Sequence, residues 1–351
     1  MRIAVLAAVV SLALAGGAFA QDPHPTFTVG TATASRGQKA YGVLKVPPGA
    51  DAAADVSVAV VHGAHPGPVL AIVAGAHGTE YTSIIAVEKL IGMVDPAELS
   101  GTLILVPLVN PMSFQKIVPH VNPVDGRSMN GAYPGKANGT STERVSYVIT
   151  KEVIDQCDHL IDLHGGDIDE NLRPYSYWSP TGNPAQDEAS KELVLAFGLD
   201  TIIISPDRPK DPSASRFLDN TATTRGKASF AAEAGHSGTV ETDDLNLLVH
   251  GSLSVMRHLK MLPGAAAPVA SPVWIERVES LPAQQDGIFY PLVARGSYVE
   301  KGMKIGYVTD YLNRPLADAV APASGVVLFI RAVPSLVKGN TLVDVGVVKQ
   351  P

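Results

Sequence analysis

One pattern constrains the fold of this chain more than any other. A short, continuous apolar run leads into a glycine-bearing turn, and a stretch of helical period follows. Val69-Leu70-Ala71-Ile72-Val73-Ala74 runs into Gly75-Ala76-His77-Gly78-Thr79-Glu80, and Tyr81 to Met93 then carries apolar residues at helical spacing. Runs too apolar to alternate between core and water are strands covered on both faces. Such strands interleaved with helices imply an α/β domain built on a mixed, mostly parallel sheet flanked by helices. The same reading places strands over Val56 to Val61, Leu103 to Val109, Leu160 to Leu163, Thr201 to Ser205 and Ser229 to Ala232. It places helices over Thr142 to Cys157, Glu188 to Phe197 and Asp243 to Lys260. Residues 26–55, broken by Gly and Pro, read as short strands and turns.

The pattern changes at Pro263-Gly264-Ala265-Ala266-Ala267-Pro268, which reads as a linker. Beyond it the chain is strand-like, helical period is absent, and Gly287, Gly296, Gly302, Gly306, Gly325, Gly339 and Gly346 punctuate it. The expectation is a catalytic domain over 21–263 and a C-terminal all-β domain over 264–351. The first residues are expected to lie outside the fold. Arg2, the apolar stretch Ile3 to Leu14 and Ala18-Phe19-Ala20 before Gln21 read as a secretory signal peptide over 1–20, cut after Ala20. The expected address is periplasmic or secreted, with no stable membrane anchor, since no later run reaches the roughly 18 apolar residues of a span. A net charge of −7 with no basic stripe gives no support for nucleic-acid binding. The single cysteine, Cys157, rules out an intramolecular disulfide and reads as a buried structural thiol.

The chemistry starts at the turn. A His and a Glu three apart between strand and helix can face one ion. The strand-like His159-Leu160-Ile161-Asp162-Leu163 ends in His164-Gly165-Gly166 and offers a second imidazole in the same kind of place. Two His and one Glu form a catalytic zinc set that leaves one position open. In a parallel sheet, ligands gather at the carboxyl ends of strands, where all three lie. Gly78 and Gly165-Gly166 let the backbone turn sharply beside the ion. His62 and His65 form a second spaced pair, but in a Gly/Pro turn, where a solvated or backbone-bonded histidine is expected. Asp162 reads equally as a carboxylate supporting His164 or as a strand-end cap. Glu233, at the end of the apolar strand Ser229-Phe230-Ala231-Ala232, is costly there without a task or partner. It is the candidate base, with a loop-facing salt bridge as the plain alternative and Glu241 as the weaker candidate.

Together these motifs resemble a known family. His77-x-x-Glu80, Asn110-Pro111, Asp125-Gly126-Arg127-Ser128-Met129-Asn130, Tyr133-Pro134-Gly135, Asp162-Leu163-His164-Gly165-Gly166 and Glu233-x-Gly235 follow in the order seen in the succinylglutamate desuccinylase/aspartoacylase family. The resemblance implies a fold similar to the zinc carboxypeptidases. It also implies an appended β-barrel similar to lipoyl/biotinyl modules, although Lys304 lacks the hairpin context of a modified lysine. It further implies one Zn2+ held by His77, Glu80 and His164, with Glu233 moving the water's proton to the leaving amine. Asn130 would orient a polar group of the substrate.

The family pattern reads Asp-Leu-Asn-Arg where this chain has Ser128-Met129-Asn130-Gly131, so a carboxylate-gripping arginine is missing. A further arginine of the family, usually a few residues ahead of this motif, often polarises the carbonyl, and His120 is the nearest candidate on that side; Arg127, Arg173 or Arg216 could substitute from shifted places. The expected activity is zinc-dependent hydrolysis of the amide bond of an N-acyl amino acid or related small amide. An exported metallocarboxypeptidase acting on peptides or peptidoglycan fragments is the alternative, and a non-catalytic binding protein on the same scaffold the third reading. Oligomeric state is left open, with a homo-oligomer compatible.

Overall fold

A computed structural model describes residues 25–349. The expected signal peptide lies outside the described residues. The chain begins with a hairpin, β1 (Thr26–Val29) against β2 (Ala32–Ser35), and continues through β3 (Gln38–Leu44), β4 (Val56–His62) and β5 (His65–Ala74). Next come α1 (Tyr81–Met93), β6 (Ser100–Val106), α2 (Pro111–Lys116), α3 (Ser141–Glu152), β7 (His159–His164) and β8 (Glu170–Trp178). Then follow α4 (Pro184–Phe197), β9 (Thr201–Ile204), α5 (Leu218–Thr223), β10 (Ala228–His236) and α6 (Thr242–His258).

The centre of the main sheet is the parallel set β6-β5-β7-β10, flanked by antiparallel β4 and β3 on one side and antiparallel β8 on the other. The expected parallel character therefore holds for the centre, while the sheet as a whole is mixed. Successive residues of a central strand enter opposite layers, as the two-residue period of a strand requires. Leu70 and Ile72 pack with α1, α4 and α6 on one face. Val69, Ala71 and Val73 pack with α3, α5 and the β1–β2 hairpin on the other. Local signals fix the helix starts. Thr140 and Glu143 form a reciprocal capping box on α3, and the Asn183 side chain caps α4 ahead of Pro184.

The remaining strands are β11 (Val273–Pro282), β12 (Gly287–Pro291), β13 (Tyr298–Val299), β14 (Lys304–Thr309), β15 (Pro315–Val320), β16 (Gly325–Arg331), β17 (Ser335–Leu336) and β18 (Thr341–Val348). From residue 264 on, the described residues hold strands and no helix, and β12, β14, β15 and β17 form a small sheet of their own. The others join the main sheet. β11 runs parallel to β9, β18 pairs β11, β16 pairs β18, and β16 returns to pair β8. Because β8 also pairs β9, these five strands close a ring that takes two members from before the linker and three from after it. Leu172 of β8, Ile203 of β9, Ile275 of β11 and Val326 and Leu328 of β16 pack together in it. Charged side chains reinforce the join. Arg295 reaches both carboxylate oxygens of the buried Asp244 at 3.1 and 3.2 Å, and Arg331 reaches Asp169 at 3.0 Å.

Some element bounds differ from the sequence reading. The helix expected to reach Cys157 stops at Glu152, with Val153 as its C-cap, and a short 3-10 turn over Ile154–Gln156 follows. The strand expected over Ser229–Ala232 continues to His236, so Glu233 lies within it, beside a register shift between Glu233 and Gly235. His62 is not in a solvated turn. It ends β4, fully buried, with Nδ1 2.8 Å from the Thr102 hydroxyl, while His65 opens β5 and is exposed.

Candidate metal centre

Parallel pairing of β5 with β7 sets Ala74 beside Leu163, so the turns leaving the two strands lie side by side. The first turn approaches its neighbours too closely for any side chain but hydrogen at one point. A Cβ on Gly78 would stand 2.2 Å from the Phe114 backbone nitrogen. α2 sets that approach: Asn110 caps it by accepting from Ser113 N, and the Ser113 hydroxyl accepts from Gly78 N at 2.9 Å. In the second turn a Cβ on Gly166 would lie 2.4 Å from Gly235 O.

The turns bring His77, Glu80 and His164 together, with one ligand atom from each all within 4.8 Å of one another. His77 Nδ1 is 2.7 Å from Glu80 Oε1, and His164 Nδ1 is 3.0 Å from Glu80 Oε2, which also accepts from Gly165 N at 3.1 Å. Glu80 stands at the N-cap position of α1 yet makes no side-chain cap, because its carboxylate is turned to the imidazoles. Burial alone would raise its carboxyl, but the two histidines outweigh that and hold it well below the usual carboxylate range.

The donor set fits a zinc ion. Both imidazoles present Nδ1 to the shared point, and both have Nε2 facing an oxygen behind. Asp162 Oδ1 lies 3.2 Å from His164 Nε2, and the Ser128 hydroxyl lies 3.4 Å from His77 Nε2. Outer oxygens of this kind orient metal-binding histidines and fix which nitrogen faces the ion. A carboxylate thus backs one histidine and a neutral hydroxyl the other.

Glu233 is set directly beside His164 in the β10–β7 register. The Tyr175 hydroxyl, from β8, donates to Glu233 Oε2 at 3.0 Å, and Oε1 has no protein donor among the described residues. Burial, aided by the nearby Glu80 charge, pushes the Glu233 carboxyl up to about 7, against the pull of His164, Tyr175 and His77. A carboxyl poised there can take up and release a proton near neutral pH.

The substrate-binding candidates divide. His120 is beside the centre, its ring centroid 6.1 Å from that of His77. Its Nε2 is 2.7 Å from Asp169, its Nδ1 3.3 Å from Asp167, and its backbone N–H donates to Asp167. The Asp169 hydrogen bond leads in raising His120 to about 9 against its partial burial, so it is cationic at neutral pH. Arg127 and Asn130 line a cavity of ≈ 570 Å³ with Ser128, Gly131, Lys136 and Arg216. Arg127 pairs with Glu143 at 3.1 Å. Gly131, at φ 98°, leaves open space where a side chain would stand, and its N–H donates to Arg216 O at 2.5 Å. Arg173 is elsewhere: Asp200 at 2.9 Å and Thr201 at 2.7 Å hold its guanidinium, and it lines a different pocket with Leu199 and Leu247.

Three groups were not found from the sequence. Tyr175 and Tyr177 share one face of β8, and the alternation Tyr175-Ser176-Tyr177 was the available signal, obscured by Pro174. Asp167 and Asp169 hold His120, and Thr79 Oγ1 donates to Asp167 at 2.5 Å, so one carboxylate braces both the His77 turn and His120. Glu170, which accepts from Asp167 N, is half-buried, and desolvation together with the charges of Glu80 and Glu233 pushes its carboxyl well above the usual range.

With this geometry in place, the chain can be compared with known proteins. A model of the succinylglutamate desuccinylase/aspartoacylase catalytic domain matches residues 66–259. The chain belongs to that family. Among curated proteins it is similar to an N-alpha-acetyl-L-2,4-diaminobutyric acid deacetylase of Halomonas elongata, with 25% identity over 312 residues, 86% of this chain and 90% of the relative. Among solved structures it is similar to a succinylglutamate desuccinylase from Silicibacter sp. TM1040, with TM-score 0.80 and 21% identity, covering 91% of this chain and 98% of that one. It is also similar to a succinylglutamate desuccinylase/aspartoacylase from Rhodobacter sphaeroides, with TM-score 0.76 and 22% identity over 85% of this chain and 90% of that one.

Proposed function

We propose that this protein is a zinc-dependent deacylase that hydrolyses the amide bond of a small N-acyl amino acid. The observation that carries the reading is the convergence of His77, Glu80 and His164 next to a half-buried carboxylate, Glu233, poised near neutrality. The deacetylase relative supports the amide as the bond and an acyl amino acid as the substrate class.

His77, Glu80 and His164 would hold the ion. Zinc there supplies a Lewis acid that polarises a carbonyl and lowers the pKa of water. Glu233 accepts the proton of the attacking water and delivers it to the leaving amine, with Oε1 free for the exchange while Tyr175 fixes Oε2. His120, kept cationic by Asp169 and Asp167, faces the centre as a fixed positive charge for developing negative charge on the acyl oxygen. Asn130 and Arg127, on the wall of the adjoining cavity, contact the amino-acid portion, with Arg216 opposite Gly131.

We further read residues 1–20 as an export signal, which places the reaction outside the cytoplasm, and the parallel centre as a zinc-carboxypeptidase-like core. The test is metal content together with hydrolysis of matched panels of N-acyl amino acids and C-terminally blocked or free peptides. One zinc per chain and turnover of the acyl amino acids is expected. Absence of turnover in zinc-loaded protein, or turnover confined to peptide C-termini, overturns the reading.

A further inference from the structure

His120 stands in the irregular segment between α2 and α3, with its backbone in the left-handed region at φ 61°. A non-glycine residue is uncommon there and persists only where its surroundings fix it, as they often do at functional sites. Two carboxylates of the turn between β7 and β8 do the fixing. Asp167 accepts from the His120 backbone N–H at 2.9 Å and faces Nδ1 at 3.3 Å, while Asp169 Oδ1 lies 2.7 Å from Nε2. Each carboxylate is itself tied to a different part of the chain. Asp167 accepts from Thr79 in the His77 turn. Asp169 is held from the C-terminal strands, by Arg331 at the end of β16.

The hold from β16 is double. Arg331 Nη1 donates to Asp169 Oδ2 at 3.0 Å, and the next backbone N–H, that of Ala332, donates to Asp169 O at 2.9 Å. Arg331 is fixed in its turn. It is 9% exposed, its Nε donates to Ser335 O at 2.7 Å, and its backbone pairs with Glu170 in the β16–β8 register. Burial alone would raise the Asp169 carboxyl, but His120 and Arg331 together hold it below its ordinary range, so Asp169 stands as an anion between them. One oxygen of its carboxylate serves each partner. The line Arg331–Asp169–His120 thus runs from β16 to a ring whose centroid is 6.1 Å from that of His77.

We propose that Arg331 is a positioning residue for the reaction: by fixing Asp169 it aims the His120 ring at the metal centre, so that the C-terminal strands complete the site as well as the sheet. The inference rests on the role given to His120 above, a fixed positive charge for the acyl oxygen. Such a charge serves a transition state only if it is already in place, and a misplacement of about 1 Å can cost about a hundredfold in rate. Without Arg331, Asp169 loses the partner opposite His120, and the ring is held from the Asp167 side alone. A pin that merely joined β16 to the turn would support stability and leave the chemical step untouched.

The test is steady-state kinetics of the zinc-loaded wild type, Arg331→Met, His120→Ala and the double variant. The substrates are a panel of N-acetyl-L-amino acids, read on the member that the wild type hydrolyses fastest, with zinc content and melting temperature measured on the same samples. Arg331→Met is expected to lower kcat by at least about tenfold with KM little changed, because the loss falls on the transition state. The double variant is expected to be no slower than His120→Ala alone, because two steps of one chain of contacts do not add. Wild-type kcat in a folded Arg331→Met variant overturns the proposal, as does a loss confined to KM or a double variant slowed by the product of the two single effects. Loss in His120→Ala without loss in Arg331→Met strikes this proposal alone, whereas full activity in His120→Ala strikes the role given to His120 as well. Crystals of zinc-loaded Arg331→Met read the geometry without turnover: a His120 ring displaced from Asp169 supports the proposal, and a ring in its wild-type place overturns it. Should Arg331→Met fail to fold, Asp169→Asn, which keeps the size of the bridging side chain and removes its charge, is read by the same criteria.

Discussion

Replacing Tyr175 by Phe isolates the environment of the proposed base. The ring is 6% exposed and packs against Ile203, Ile275 and Leu328, so the substitution keeps the packing and removes only the hydroxyl that donates to Glu233 Oε2. Burial has already pushed Glu233 up to about 7, and the Tyr175 bond is one of the interactions holding it from going higher. A hydrogen bond to a charged group contributes roughly 1.5–3 kcal/mol, part of which survives in the protonated form; at about 1.4 kcal/mol per unit, the pKa should rise by about 1. The sign is upward because a lost donor disfavours the carboxylate.

If the carboxylate form is required, the acid limb of kcat/KM moves to higher pH. Activity at pH 7 then falls about fivefold, as the ionised fraction drops from about one half to about one tenth, and recovers above about pH 9. A bound ion shifts the limbs of both proteins together, so the difference between them is the quantity to read. Tyr177→Phe, which loses a hydroxyl that contacts Tyr175 and not Glu233, is the control and should move the limb less. A Tyr175→Phe profile that superimposes on the wild type, or whose limb moves to lower pH, refutes the assignment of Glu233 as the titrating base.

Glu233→Gln should retain stoichiometric zinc and lose roughly 10²–10⁴ in kcat, measured by metal analysis and steady-state rates on the same sample. Arg295→Ala should destabilise the whole chain by roughly 3 kcal/mol in urea unfolding, because Asp244 is left buried without its partner. Burial pushes the Cys157 thiol up to about 12, so in the native state it should resist alkylation at pH 8 and react fully once the protein is unfolded, as mass spectrometry would show.

The parts of the centre that local rules govern were legible in the sequence. His77, Glu80 and His164 each follow an apolar run that can only be an inner strand, and adjacent parallel strands must bring their ends together. The glycines beside them announced tight turns. Glu233 was found because a lone carboxylate in an apolar run is expensive. What stayed hidden depends on contacts that spacing does not encode. β8 carries Pro174 and few apolar residues, so it does not read as a strand, yet it supplies Tyr175. Arg173, on the same strand, looked available because its partner Asp200 lies after α4. The closure of the ring through β16 was also invisible, because a linker rich in Pro, Gly and Ala reads as a boundary whether or not a sheet later crosses it.

That closure has a consequence for how the chain comes into being. β8 and β9 are synthesised before β16 and β11, which pair with them, and before β18, which bridges those two. The Asp169–Arg331 pair joins positions 162 residues apart. Until those later strands arrive, the nascent chain carries open strand edges, which are templates for wrong pairing. Contacts of such sequence separation also make the last step slow. Tyr175 and Glu233 therefore acquire their final setting only when the C-terminal strands dock, and competence for catalysis becomes a late event in the life of each molecule. A chain released a few strands short would be trapped as an aggregation-prone intermediate rather than a partly active enzyme.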